Sequence, residues 1–453
     1  MKKTSRRVFL AASVKAALFS AYASGSPIMS GPTPWSNWSG GQTCRPAGRH
    51  DITDEGELQK ILRSSSGQIR PVGSSHSFSP LIPTDGHLIV VDQLNQIRSY
   101  DQKAMTVTLG AGARLGDLGA QLDNIGQGMI NLPDIDRQTI AGAMATGTHG
   151  TGVTLPALSS MIIGLRLVTP NGNVLNIDTS DMEMLHAARV NVGALGIVTE
   201  VTIQNRESYK LKKREWAAPT EDILDSFADL TNNHRHFEIF PLVYSDYSLA
   251  LSMDETNDPI GKAVTEPSDD ASIAESLGLT ANPTPAERRK LSNITASRIQ
   301  PSESVDVSYK LLSNLRNSRF NEMEYSVPVE AGADCLREIL KTIYDKKIDV
   351  VFPLEYRYVK ADQDWLSMAY GDHPHATISI HRTASEDFAP YFDIIEPIFW
   401  KYAGRPHWGK IHSLKHNELV KLYPRYRDFM ELRKSLDPSG RLLNAHLRTL
   451  FNA

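Results

Sequence analysis

Three turns rich in small residues most constrain how this chain can fold. They span residues 70–77, 141–152 and 193–202, and each adjoins a segment whose pattern predicts a strand. Ten of the twelve residues of the second turn are Gly, Ala or Thr. Such turns leave backbone N–H groups open to phosphate oxygens and offer a surface to a flat ligand. The first turn also places His76 after its strand, so one imidazole would reach the same ligand.

Length and charge limit the classes of partner. A chain of 453 residues with 41% apolar residues has enough material for two or three domains. Its net charge of −4, with no long basic run after the N-terminus, argues against nucleic acid or an anionic membrane as a partner. Only two cysteines are present, Cys44 and Cys335, so the fold is not a disulfide scaffold. Whether these two pair is left open.

The N-terminus predicts export. Paired arginines, Arg6 and Arg7, precede a short apolar stretch that ends at Ala23 in a small-residue cleavage pattern. Residues 1–23 therefore predict a twin-arginine signal peptide, with the Tat export machinery as a partner and a periplasmic or secreted location. The stretch is shorter than the about 20 apolar residues that a spanning helix needs, so we expect no stable membrane span.

The residue pattern changes at about position 208. From 54 to 203 short strands alternate with short helices, which predicts a mixed α+β domain, and no Gly-x-Gly-x-x-Gly motif marks a Rossmann nicotinamide site. From 208 to 436 aromatic and charged strands interleave with helices, which predicts a helix-covered sheet that supplies the other wall of a pocket. Residues 259–301 are rich in Pro, Ser, Ala and Asp and predict a mobile insertion.

Two opposite charges in the second domain point the same way. Glu355 and Arg357 lie two residues apart on a predicted strand, so they share one face. An exposed ion pair is the commoner explanation of such spacing, but the flanking Val350, Phe352 and Val359 predict a buried strand. Buried charges are tolerated mainly when they are paired or functional. We therefore predict that this pair belongs to a binding pocket.

Histidines are numerous, but their spacing does not predict a metal site. His373 and His375 form one pair and His407 and His412 another, and neither pair has a carboxylate or cysteine partner at a recognised spacing. The sequence also contains no nucleophile elbow and no P-loop. We expect no metal cofactor.

Three motifs together resemble the flavin domain of the vanillyl-alcohol-oxidase (PCMH) type and, within it, the sugar-1,4-lactone and alditol oxidases. They are residues 72–77, 145–150 and 405–410, and the resemblance covers roughly residues 35–453. It implies an α+β fold with a two-part FAD-binding domain over residues 35–207. A substrate or cap domain follows over residues 208–436, and a C-terminal strap, residues 437–453, returns to the FAD-binding domain.

The resemblance also implies a set of contacts to FAD. In the family the histidine of the first motif is bonded covalently to the flavin 8α-methyl carbon, so His76 is expected to carry FAD. A neutral imidazole is a competent nucleophile near pH 7. The cofactor-binding residues implied are Val72, Gly73, Ser74, Ser75, His76, Ser77, Thr139, Met144, Gly147, His149, Gly150, Thr151, Gly152, Val153, Ile197 and Val198.

The catalytic residues implied by the resemblance are Glu355, Arg357 and Lys410. Glu355 is expected to accept hydrogen bonds from substrate hydroxyls, while Arg357 and Lys410 bind the oxygen of the carbon being oxidised as hydride leaves for flavin N5. Lys410 would also favour the anionic reduced flavin. The substrate-binding residues implied are Thr139, Glu355, Arg357, His381, Thr383 and Lys410. Thr139 stands where relatives carry a Ser or a similar small hydroxyl, and its extra methyl would narrow the site slightly.

The expected function is oxidation of an alcohol group of a small polyol or aldono-1,4-lactone by covalent FAD, with electrons passed to O2 to give H2O2. Two alternatives stay open: a dehydrogenase of the same fold that uses a quinone or cytochrome, and a non-catalytic flavin- or sugar-binding protein. A carrier has no need of three buried charges beside the flavin ring, which favours an enzyme. The identity of the polyhydroxylated substrate and the oligomeric state are left open.

Overall fold

The computed structural model describes residues 33–261, 284–314 and 318–453. The predicted signal peptide lies outside the described residues, and so does much of the predicted insertion at 259–301. The described part of that insertion includes the helix Pro285–Ala296, whose first turn is closed by a reciprocal capping box between Thr284 and Glu287. Among the described residues, no helix combines the length and the apolar character needed to cross a membrane.

The strands of the described residues fall on both sides of residue 208. In chain order they are β1 (Trp35–Ser36), β2 (Thr43–Cys44), β3 (Gly48–Asp51), β4 (Ile69–Val72), β5 (His87–Val90), β6 (Ile97–Asp101), β7 (Thr106–Gly110), β8 (Gln127–Gly128), β9 (Ile162–Val168), β10 (Val174–Asp178), β11 (Ile197–Gln204), β12 (Arg206–Glu207), β13 (Lys210–Pro219), β14 (His236–Pro241), β15 (Tyr247–Glu255), β16 (Ser302–Val307), β17 (Phe320–Pro328), β18 (Glu355–Val359), β19 (His375–Thr383) and β20 (Arg405–Pro406).

The helices of the described residues lie between and after these strands. In chain order they are α1 (Glu55–Ser64), α2 (Leu115–Asn124), α3 (Ile140–Thr146), α4 (Met182–Arg189), α5 (Thr220–Asp225), α6 (Phe227–Asn233), α7 (Pro285–Ala296), α8 (Ser308–Leu312), α9 (Gly332–Asp345), α10 (Ala389–Lys401), α11 (His416–Leu422), α12 (Tyr426–Leu436) and α13 (Ala445–Phe451). Short 3₁₀ turns occur at Ser159–Met161 and Val329–Ala331.

Three sheets organise the fold. The strands β3, β5 and β4 pair in parallel in that order. The strands β10, β9, β11, β7 and β6 form an antiparallel sheet of five. The strands β16, β13, β15, β14, β18, β19, β17 and β20 form an antiparallel sheet of eight. The expected α+β class is confirmed.

The C-terminal segment returns to the first sheet, as expected. Its partner is β4, which lies at the edge of its sheet, where Pro71 costs no ladder hydrogen bond. The amide of Ile69 donates to the carbonyl of Arg441 at 2.7 Å. The buried guanidinium of Arg70 donates to the carbonyls of Leu442 and Gly193, at 2.5 and 2.8 Å. Arg70 therefore fastens the first turn to the third turn and to the C-terminal segment.

The eight-stranded sheet has one apolar and one polar face over β17, β18 and β19. Tyr325, Tyr356 and Ile378 project from one face and are fully buried, and the Tyr325 ring stacks on Phe399 of α10 with ring centroids 4.7 Å apart. Because successive side chains of a strand alternate between faces, the residues beside them in sequence project from the opposite face. The candidate site lies on that polar face.

Candidate active site

The first turn and α3 line a cleft, which we call the small-residue cleft. The third turn closes another side of the cleft. Its lining consists of Trp35, Arg70, Pro71, Val72, Gly73, Ser74, Ser75, His76, Ser77, Leu81, Ile82, Val91, Gln138, Thr139, Ala141, Gly142, Ala145, Thr146, Asn191, Val192, Gly193, Gly196 and Val198.

Close approach of two segments explains why position 73 is a glycine. A Cβ atom on Gly73 would lie 2.1 Å from Thr139 Oγ1, far inside any contact distance. The hydroxyl of Thr139 is buried and has no hydrogen-bond partner among the described residues. Ser75 adopts a positive φ of 61°, and its hydroxyl accepts a hydrogen bond from the Trp35 indole at 2.9 Å. The first turn and Thr139 together therefore present small groups and an unpaired hydroxyl to a ligand, which fits a cofactor that packs against the backbone.

His76 projects into the small-residue cleft with a fixed ring plane. Its imidazole stacks on Trp38, with ring centroids 4.5 Å apart and 19° between the planes. Burial, and after it the positive charge of Lys410, lowers the pKa of His76 to about 4. The ring is therefore neutral near pH 7 and keeps a nucleophilic nitrogen.

The expected cofactor residues divide between two locations. Val72, Gly73, Ser74, Ser75, His76, Ser77, Thr139 and Val198 line the small-residue cleft. Met144, Gly147, Gly150, Thr151, Gly152, Val153 and Ile197 are not part of its lining, and His149 lines a different pocket.

Part of the second turn instead joins the eight-stranded sheet. The amide of Gly152 donates to the carbonyl of Tyr358 at 2.9 Å, and Gly152 forms an isolated bridge with Val359. The hydroxyl of Thr151 donates to the carbonyl of Phe237 at 2.6 Å. The second turn thus holds the polar face of the large sheet against the cleft.

A second pocket adjoins the small-residue cleft, and Gln138 lines both. We call it the charged pocket. Glu355, Arg357, His381 and Lys410, four of the expected substrate residues, line it together. The other residues of its lining are Pro133, Asp134, Ile135, Gln138, Thr148, His149, Phe240, Phe320, Glu322, Glu324 and His407.

The two remaining expected substrate residues lie elsewhere. Thr139 lines the small-residue cleft. Thr383, at the end of β19, is only partly buried and belongs to neither lining.

Arg357 lies among three carboxylates. Its guanidinium is 2.9 Å from Glu355 and 3.8 Å from both Glu324 and Glu238. Glu238 faces Arg357 directly in the register of β14 and β18. Burial disfavours the charged form of Arg357, but these carboxylates outweigh burial and raise the pKa of Arg357 above its usual value. The guanidinium therefore stays charged in a buried place.

Lys410 is held by β17. Its ammonium contacts Glu322 and lies 4.0 Å from Glu324. Glu324 in turn lies 2.7 Å from His149 Nε2, which ties the second turn to the same group. Both lining carboxylates of β17 therefore hold Lys410 in place.

The carboxyl groups of the site differ in their proton affinity. Burial, and after it the charge of Glu355, raises the pKa of Glu238 to about 8. Burial also raises the pKa of Glu355, although Arg357 opposes the shift. Burial acts on Glu324 as well, but His149 and Arg357 outweigh it and hold the pKa of Glu324 well below its usual value. The site thus combines Glu324, which stays ionised, with Glu238, which is mostly protonated near pH 7.

Sequence reasoning missed Glu238, Glu322, Glu324 and His407. A usable signal was present, because residues 236–239 of β14 and 322–327 of β17 alternate polar and apolar residues, as β18 does. His407, which has no carboxylate partner at a recognised sequence spacing, lies close enough to Glu324 and His149 for all three to reach one ion, as do Glu322, Glu355 and His381. The carboxylates of both groups also lie beside Arg357 or Lys410.

Comparison with known proteins identifies the class. The family model described as "FAD binding domain" matches residues 47–178, and the model described as "D-arabinono-1,4-lactone oxidase" matches residues 201–450. L-gulono-1,4-lactone dehydrogenase of Mycobacterium tuberculosis is 34% identical, over 92% of this chain and 99% of that protein. L-gulonolactone oxidase of Mus musculus is 28% identical, over 92% of this chain and 97% of that protein.

A solved structure matches the fold. Cholesterol oxidase of B. sterolicum superposes with a TM-score of 0.74 over 92% of this chain and 96% of that chain, at 16% identity, which shows the fold alone. Fold, cleft and sequence relatives define an FAD-dependent oxidoreductase. Within that class, the chain belongs to the D-arabinono-1,4-lactone oxidase family.

Proposed function

We propose that this enzyme oxidises an alcohol group of an aldono-1,4-lactone, or of a related small polyol, in the charged pocket. One observation carries the proposal: the charged pocket opens beside the small-residue cleft, with Gln138 in both linings. A polyhydroxylated molecule in the charged pocket would therefore lie next to the flavin ring. FAD, when bound, supplies flavin N5 as the hydride acceptor.

The residues of the charged pocket take distinct roles in this proposal. Glu355 accepts hydrogen bonds from substrate hydroxyls. Arg357 and Lys410 donate to the oxygen of the carbon being oxidised and stabilise the negative charge that grows on it as its proton leaves. Glu322 and Glu324 hold the Lys410 ammonium in place. The match to lactone-named relatives favours the lactone over the open-chain polyol.

Anaerobic reduction of the flavin tests the reaction. L-gulono-1,4-lactone, D-arabinono-1,4-lactone and xylitol are each added to the oxidised enzyme, and loss of the flavin absorbance is followed. We expect at least one lactone to bleach the flavin and Lys410→Met to bleach it far more slowly, while Lys415→Met, at an exposed lysine nearby, keeps the parental rate. Absence of bleaching with all three would favour the non-catalytic flavin- or sugar-binding alternative.

We infer also that His76 carries FAD covalently. Its neutral imidazole, its place in the cleft lining and the stacking on Trp38 support this. Acid-denatured protein run on a gel is expected to keep flavin fluorescence in the protein band. His76→Ala should lose it, and His373→Ala, at an exposed histidine, should keep it. Parental protein that releases all its flavin on denaturation would contradict the linkage.

The proposed electron acceptor is O2, with H2O2 as product. One relative is named an oxidase and the other a dehydrogenase, so the acceptor needs its own measurement. Reduced enzyme is mixed with air-saturated buffer in a stopped-flow instrument. Fast reoxidation with formation of H2O2 is expected, whereas slow reoxidation would favour a quinone or cytochrome acceptor.

Export through the Tat machinery to the periplasm or outside the cell is proposed from the sequence of residues 1–23. Cell fractionation of the full chain and of the double variant Arg6→Lys with Arg7→Lys provides the test. The parental chain should reach the exported fraction, and the variant should accumulate inside the cell. Parental protein retained inside would contradict the proposal.

A further inference from the structure

The charged pocket holds more buried carboxylates than cations. Glu322, Glu324 and Glu355 line it at 3%, 2% and 6% exposure. The cations of its lining within the described residues are Arg357 and Lys410. Asp134, which also lines the pocket and accepts a hydrogen bond from Asn314, adds another carboxylate.

Both cations are already engaged by the protein. Arg357 lies 2.9 Å from Glu355 and 3.8 Å from Glu324, while Lys410 contacts Glu322. A ligand carboxylate that approached either cation would face these glutamates at short range. Like charges brought together in a buried place cost several kcal/mol, so this arrangement disfavours anionic ligands.

The same lining keeps unused hydrogen-bonding capacity. Glu324 Oε1, 2.7 Å from His149 Nε2, and Glu355 Oε1, 2.9 Å from Arg357, are ion-paired but accept no hydrogen bond of good geometry, and His381 Nδ1 has no hydrogen-bond partner among the described residues. His381 is 6% exposed. A ligand with hydrogen-bond donors would bond to these atoms. A positively charged donor would bond most strongly to the carboxylate oxygens, because hydrogen bonds between ionised groups are stronger than neutral ones.

We propose that the charged pocket binds cationic polyhydroxylated molecules, in which an ammonium group replaces one hydroxyl, more tightly than their neutral counterparts, and that it excludes sugar acids. The ammonium would pair with Glu355 and Glu324, which lie 2.9 and 3.8 Å from Arg357. The proposal rests on the proposed function in taking this pocket as the one that receives the sugar.

Three ligands with one carbon skeleton test the charge preference. D-sorbitol is neutral, 1-amino-1-deoxy-D-sorbitol is cationic and D-gluconate is anionic at neutral pH. Dissociation constants for the FAD-loaded enzyme are measured by titration calorimetry at low ionic strength. We expect the amine to bind about tenfold or more tighter than sorbitol, and gluconate about tenfold or more weaker.

Matched variants locate the preference. Glu324→Gln and Glu355→Gln should each narrow the gap between amine and sorbitol, while Glu303→Gln, at an exposed position in β16, should leave it unchanged. Sorbitol binding by each variant serves as the check that it folds, and the second glutamine variant replaces one that fails this check.

The outcomes separate this inference from the proposed function. Equal affinities for the three ligands, tighter binding of gluconate, or no binding of any of them would overturn the inference. Anaerobic bleaching by L-gulono-1,4-lactone is measured on the same preparation. Bleaching with equal affinities refutes the charge preference alone, whereas ranked affinities without bleaching by any lactone or polyol refute the proposed oxidation alone.

Discussion

Replacement of Gly73 by alanine should disturb the small-residue cleft at a definable point. The new Cβ would lie 2.1 Å from Thr139 Oγ1 and 3.2 and 3.3 Å from Thr139 Cβ and Cγ2. Thr139 cannot retreat easily, because its carbonyl accepts from Ala143 and the next residue, Ile140, donates to Ala113, at 2.9 and 2.8 Å. The first turn must therefore shift away from α3.

The size of the effect follows from the type of clash. An extra methyl group forced into a packed site costs about 1–3 kcal/mol. Because each 1.4 kcal/mol changes an equilibrium constant about tenfold, the affinity for FAD before the covalent bond forms should fall by about tenfold. The melting temperature should fall by a few degrees, since about 1 kcal/mol corresponds to roughly 2–4 °C in chains of moderate length.

A second substitution tests the stated cause. Thr139→Ala removes Oγ1 and Cγ2, so the double variant Gly73→Ala with Thr139→Ala should regain most of the melting temperature and flavin content that Gly73→Ala loses. Gly261→Ala is the control, because its Cβ would meet no atom closer than 3.9 Å. The flavin-to-protein absorbance ratio and thermal unfolding are measured on the parental protein, Gly73→Ala, the double variant and Gly261→Ala. Parental values for Gly73→Ala, or no recovery in the double variant, would refute the reasoning.

Four further substitutions test the charges. Arg357→Met should cost about 3–5 kcal/mol in urea unfolding, because it leaves buried carboxylates unpaired, and added Glu355→Gln should recover part of the loss. Glu238 has a pKa raised to about 8 in the folded protein, so the unfolded chain loses this proton first and stability falls as pH rises from about 4.5 to 8. Glu238→Gln should flatten that fall, and an unchanged slope would contradict the assignment. Arg70→Lys should lose about 2 kcal/mol or more, since a lysine cannot reach all the carbonyls that the guanidinium now serves; parental unfolding would show that the C-terminal segment does not depend on it.

The local sequence pattern was sufficient to place functional residues that lie on the same strand. Glu355 and Arg357 lie on a single strand, so period-two spacing alone placed them on one face, and the structure puts them 2.9 Å apart. Glu322 and Glu324 obey the same alternation, but their role depends on β17 lying beside β19 rather than on any neighbour in sequence. That pairing joins segments about 60 residues apart and is set by packing.

The second turn shows a different limit. Its composition predicts backbone that something approaches closely, and this is what the structure has at Gly150, where an added Cβ would lie 2.3 Å from the carbonyl of Leu132. Composition does not say what approaches. At Gly73 in the first turn, the approaching residue is Thr139. At Gly152, the approaching segment is the backbone of the large sheet. A small-residue turn therefore predicts a close contact more securely than it predicts a ligand.

The charged pocket and the core beneath it are produced by one alternation. In register, Glu324 faces Ser379 and Ser379 faces Glu355 across β17, β19 and β18, while Tyr325 and Ile378 form the adjacent row. The row of Tyr325 and Ile378 is buried against helices. A register slip of one residue would turn these apolar side chains to the polar face and bury the charged side chains against the helices, which would strongly destabilise the fold. The apolar face therefore fixes the register, and the register places the charges. It follows that isosteric changes on the polar face, such as glutamate to glutamine, can alter binding without altering the fold that positions them.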